Sequence, residues 1–82
     1  MYKNRSVDGK NNICGRNVWK FRYNLPSSPS QRAFADMLQL EGLDIDKNAV
    51  QRMESGQRFV TDIELRVIAK VLGVSYQELL DE

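Results

Sequence analysis

Residues 46–58 read DKNAVQRMESGQR, and only Ala49, Val50 and Met53 in that run are plainly apolar. At about 100° per residue these three share one narrow sector of a helix. Lys47, Asn48, Gln51 and Arg52 fall on the opposite sector, two cations and two amides with no carboxylate. A solvated helix face usually mixes Glu with Lys, because opposite charges at i,i+4 are mildly stabilising. Here every polar side chain is a donor, or a donor and acceptor together. Arg and Lys match the acceptors on guanine, and Asn and Gln match the paired donor and acceptor on adenine. Taken alone, the run reads more economically as a plain surface helix, so its neighbours decide.

Upstream, Asp46 is the expected cap of this helix, and EGLDID, with Gly42 as the stop, separates it from another. That preceding helix is predicted from about Gln31 to Leu40. Phe34, Met37 and Leu38 form its apolar side, with Ala33 and Ala35 as small contact points. Either Ser30 caps it, or Ser28 does so with Pro29 at the first helical position. NLPSSPS breaks the chain before it, and from about Asn12 to Asn24 a first helix is predicted on Ile13, Val18, Phe21 and Leu25.

Downstream the local chemistry is stronger. Thr61 and Glu64 form a Thr-x-x-Glu capping box, with Val60 able to staple onto Leu65. Leu65, Ile68, Ala69 and Leu72 then make one stripe, and Gly73 ends the helix. Ser75 and Glu78 form a second box at once, with Val74 able to staple onto Leu79. No strand pattern, repeat or low-complexity stretch is present. The expectation is an all-α fold of five short helices over residues 12–82, preceded by a flexible tail at 1–11. Trp19, Phe21, Phe34, Phe59 and Tyr76 are assigned to the core or its rim.

Eighty-two residues suit one small domain. Its 41% hydrophobic and 28% charged residues are those of an ordinary globular chain. No apolar run approaches the roughly 18 residues that span a bilayer, and no signal peptide is visible. Cys14 is the single cysteine, which excludes an internal disulfide; a cytoplasmic location and a small buried apolar role for Cys14 are expected. The net charge of +1 hides a gradient: residues 1–30 carry +5, residues 31–60 carry −1 and residues 61–82 carry −3. A basic face toward an anionic partner fits this pattern, and a basic flexible tail fits it equally. With no histidine, cysteine cluster, Gly-rich phosphate loop or carboxylate pair in an apolar pocket, neither an enzyme nor a cofactor is expected.

SQRAFADML, then NAVQRMESGQR, then ELRVIAKVLGVSYQELL together resemble the lambda-repressor-like helix-turn-helix family, also called Xre or Cro-type, over about residues 13–81. The matching features are Gln31 opening helix two, the Phe34-Ala35 pair, Glu54, Gly56 and Arg58 in Glu-x-Gly-x-Arg, and the pattern of helices four and five. The chain departs from that pattern twice. QLEGLDI lengthens the connection between helices two and three by about five residues, and the loop between helices one and two is longer by about two.

The resemblance implies double-stranded DNA as partner, a helix-turn-helix formed by helices two and three, and a transcriptional regulator of the repressor kind. It implies base contacts by Lys47, Asn48, Gln51 and Arg52, phosphate contacts by Gln31 and Arg58, and a structural ion pair between Arg22 and Glu54. Lys20, Arg16, Lys3, Arg5 and Lys10 could add non-specific attraction to the DNA backbone. A homodimer would use helix five and the loop before it. The competing expectation is a protein-interaction module, such as an antitoxin, for which an apolar patch on helix five would speak if Tyr76, Leu79 and Leu80 are not all buried.

Overall fold

Four of the helix starts are set by a side chain that accepts from a backbone N–H three residues on. Ser30 Oγ accepts from Ala33 N at 3.0 Å and Asp46 Oδ1 from Ala49 N at 2.8 Å. Thr61 with Glu64, and Ser75 with Glu78, close both capping boxes. In the computed structural model, which describes residues 9–81, these caps open α2 (Gln31–Leu40), α3 (Lys47–Glu54), α4 (Asp62–Leu72) and α5 (Tyr76–Leu80). The first helix, α1 (Gly15–Tyr23), is opened differently: Asn12 Oδ1 accepts from Gly15 N at 2.9 Å. It starts later than the apolar spacing suggests, and Ile13 consequently lies outside it and exposed. Among the described residues there is no strand.

Each helix contributes to one core. Val18 of α1, Phe34 and Leu38 of α2, Val50 and Met53 of α3, Ile68 of α4 and Leu79 of α5 have no exposed surface. Cys14 lies buried among them, and burial pushes its thiol above the usual range, so it serves as a small hydrophobe. Three of the aromatic residues assigned to the core are instead exposed: Trp19 by 48%, Phe59 by 54% and Tyr76 by 51%. Phe34 is buried and Phe21 half-buried, as expected. Trp19 stacks on Tyr23, one turn along α1, with ring centroids 5.6 Å apart.

The long α2–α3 connection is well tied. Leu43 N donates to Leu38 O at 3.0 Å, and Gln39 Nε2 donates to Ile45 O at 2.8 Å. Ile45 itself enters the core. The connection is thus anchored in the domain through Ile45, while Gly42 supplies the left-handed turn at φ 91°. Asn11, assigned to the flexible tail, is also held: its backbone N–H donates to Gly56 O and its side-chain amide to Gln57 O, both at 2.8 Å. Lys3 and Arg5 lie outside the described residues. No described helix is long and apolar enough to cross a membrane.

Candidate functional site

The outer face of α3 is built by what its inner face requires. Ala49, Val50 and Met53 are buried, so the helical period turns Lys47, Asn48, Gln51 and Arg52 outward, and all four are exposed. None of these four side chains is hydrogen-bonded or ion-paired to another described residue. Beside them a shallow cleft between α2 and α3 is lined by Arg32, Ala35, Asp36, Gln39, Asp46, Lys47 and Asn48. Its carboxylates are not on α3: Asp46 is spent on the cap and Asp36 belongs to α2.

Behind this face lies a polar cluster joining three helices. Arg22 Nε donates to Glu54 Oε2 at 2.7 Å and Arg22 Nη2 to Glu54 Oε1 at 3.0 Å. Arg22 Nη1 donates to the Pro29 carbonyl at 2.8 Å, which fastens the α1–α2 loop. Gln31 Nε2 donates to Glu54 Oε1 at 2.9 Å. Arg22 is only 8% exposed, so this is a desolvated bidentate pair in which the planar guanidinium fork meets three acceptor atoms. The Arg22–Glu54 pair expected from the sequence is therefore present, with Gln31 as a third member.

For Gln31 and Arg58 the surroundings differ from a free phosphate-seeking side chain. Gln31 commits one of its two amide hydrogens to Glu54. Arg58 is clasped by Glu64, with Nη1 to Oε1 at 2.9 Å and Nη2 to Oε2 at 2.8 Å, and it also donates to Phe59 O at 3.2 Å. Glu64 thus does two jobs, since the same carboxylate closes the Thr61 capping box. Sequence spacing shows the box, but the fold brings Arg58 across to it.

Two amides were not legible as structural residues. Asn12 Nδ2 donates to Met53 O at 3.0 Å and Arg58 O at 2.6 Å, so it ties α1 to the end of α3. Its place three residues before Gly15 was the available signal, that of a cap. Asn17 Nδ2 donates to Leu79 O at 2.9 Å and Asp81 O at 2.8 Å, which holds the end of α5. Nothing in local sequence marks that role.

The Arg58 guanidinium, through its hydrogen bonds, holds the Glu64 carboxyl below the usual carboxylate range; burial opposes this and Thr61 assists. A carboxylate depressed in the folded state contributes stability above its unfolded pKa of about 4.3, and that contribution is lost as pH falls through the folded value. Glu64→Gln is therefore expected to lower Tm at pH 7 and to flatten the fall in Tm between neutral pH and pH about 3. Thermal melts across that range check this; melting curves of unchanged pH dependence would remove Glu64 from the acid response.

No family model, curated protein or solved structure matches the chain.

Proposed function

We propose that this chain is a sequence-specific double-stranded DNA-binding regulator acting as a repressor, with α2 and α3 as a lambda-repressor-like helix-turn-helix. The observation that carries the reading is the outer face of α3: four exposed, unengaged donor side chains and no carboxylate. In this reading Arg52 donates in bidentate fashion to guanine, and Asn48 or Gln51 pairs with adenine. Lys47, at the helix start, meets a base or a phosphate. Gln31 offers its second amide hydrogen to a phosphate at the start of α2, beside the free backbone N–H groups there. Arg58 shares its charge with Glu64 and contributes less than an unpaired cation would.

One observation favours a protein partner instead. A shallow groove beside the α4–α5 turn is lined in part by Val67, Ala69, Val74 and Tyr76, and Leu80 of α5 is also exposed. An antitoxin-like interaction module would use such a surface.

Selection of bound duplexes from a random pool separates the two readings. Enrichment of a short site with two-fold symmetry is the expected result, and it reports a homodimer at the same time. Binding should weaken with salt, log affinity falling by about 0.9 per decade of salt for each phosphate contacted, over about three to five contacts per protomer. A pool that yields no enriched duplex at low salt favours the protein-interaction reading.

A further inference from the structure

The exposed side of α1 carries a feature that the α3 surface does not explain. Arg16, Trp19, Lys20 and Tyr23 occupy one continuous sector of α1, about 100° wide. All four are exposed, and α1 contains no carboxylate. Trp19 and Tyr23 stack face to face while leaving about half of each side chain in solvent, an unusual use of the largest apolar surface in a small domain. The side chains of Arg16 and Lys20 have no hydrogen-bond or ion-pair partner among the described residues. Each of the four side chains ends in a hydrogen-bond donor: guanidinium, indole N–H, ammonium and phenol O–H.

The position of this strip follows from the neighbouring contacts. Gly15 and Arg22 bring one edge of α1 against the end of α3, because a Cβ on Gly15 would meet the carbonyl oxygens of Met53 and Glu54. On the helical wheel Trp19 stands about 40° from Gly15, on the outward side, with Tyr23 about 40° further round. The strip therefore borders the C-terminal end of α3 and continues around α1 from there.

We propose that Arg16, Trp19, Lys20 and Tyr23 form a second contact surface that grips the DNA sugar-phosphate backbone flanking the site occupied by α3. The assignment rests on the proposed DNA-binding function and extends its footprint to α1. Charge complementarity selects the partner, since a strip of donors on a helix that carries no carboxylate fits a polyanion. The stacked rings hold the indole N–H and phenol O–H in a fixed frame, so little side-chain entropy is lost when they meet phosphates. Such contacts position the protein and add no sequence preference.

The test uses the full chain, with Arg16→Gln/Lys20→Gln as the variant and two duplexes: the site selected from the random pool and a duplex of unrelated sequence. The expected result is a loss of affinity of about tenfold for both duplexes, with the salt slope reduced by about 1.8, the value for two phosphate contacts. Because Trp19 is the single tryptophan, wild-type emission should also change when either duplex is added. Wild-type affinity and slope in the variant would overturn the α1 contact while leaving the α3 reading intact, and would assign the strip to a protein partner. A loss confined to the selected site would overturn it as well, because it would mean base reading. A wild-type chain with no salt-dependent duplex binding would overturn both this contact and the proposed function.

Discussion

Glu54→Ala is expected to destabilise the domain by about 3–5 kcal/mol, the range for removing one partner of a buried ion pair. The carboxylate accepts from Arg22 twice and from Gln31 once, so its loss strands a guanidinium and an amide where little water reaches. At about 4–8 °C per kcal/mol for a domain of this size, Tm should fall by more than about 12 °C. Arg22→Ala should cost a similar amount, because Glu54 is then the uncompensated charge and the Pro29 carbonyl loses its donor. The double variant should lose clearly less than the sum, since each single variant already breaks the same contact. Arg22→Lys should recover little, because an ammonium cannot form the fork. Chemical denaturation of wild type and the four variants checks this. Strict additivity would mean that the two charges are energetically independent, and the three-helix joint would then have to rest on packing alone.

Gly15→Ala is expected to be the next most damaging change, at about 3 kcal/mol, although it adds a single methyl group to a helix. Elsewhere in a helix the same substitution is favourable by roughly 1 kcal/mol. Here the new Cβ would collide with the Met53 carbonyl oxygen and press on that of Glu54 at 3.1 Å. Both are backbone atoms, so relief requires α1 to move away from α3. That movement would also pull apart the Arg22–Glu54 pair and the Asn12 bonds to Met53 and Arg58. The two changes should therefore couple: Glu54→Ala should cost less in the Gly15→Ala background. A Gly15→Ala variant as stable as wild type, by denaturant midpoint, would show that α1 does not need this close approach to α3.

What could be read from the sequence follows the range of the interactions. Caps act within four residues, and so Thr61 with Glu64, Ser75 with Glu78, and Asp46 were legible, while sequence left Ser30 and Ser28 as alternative caps of α2 and the structure selects Ser30. The buried stripe of α3 was legible for the same reason, because period alone places Ala49, Val50 and Met53 on one side. For the aromatic side chains hydrophobicity alone does not fix burial. Trp19 lies on the outward sector of α1, where it stacks on Tyr23 and stays 48% exposed. Ile45 was missed in the opposite direction: it stands in a connection, where burial depends on how the loop folds back. Gln31 and Arg58 show the limit for the site. Their own positions suggested free polar groups, but the carboxylates that engage them are placed by tertiary packing, in the case of Gln31 from another helix.

The α3 face is tested most directly by Arg52→Ala in a competition binding assay that scans every base pair of the selected site. Arg52 is exposed and its side chain touches no structural partner, so the variant should melt like wild type. If Arg52 reads a guanine, binding to the preferred site should weaken by about 1–3 kcal/mol, and preference should relax at one base pair while the others keep theirs. Gln31→Ala, by contrast, should weaken binding to all sequences about equally, because phosphates look alike. A normally melting Arg52→Ala variant that keeps the full position-by-position preference would contradict the proposal: α3 would not be the reader, and the exposed groove beside α5 would become the better guide to what this protein binds.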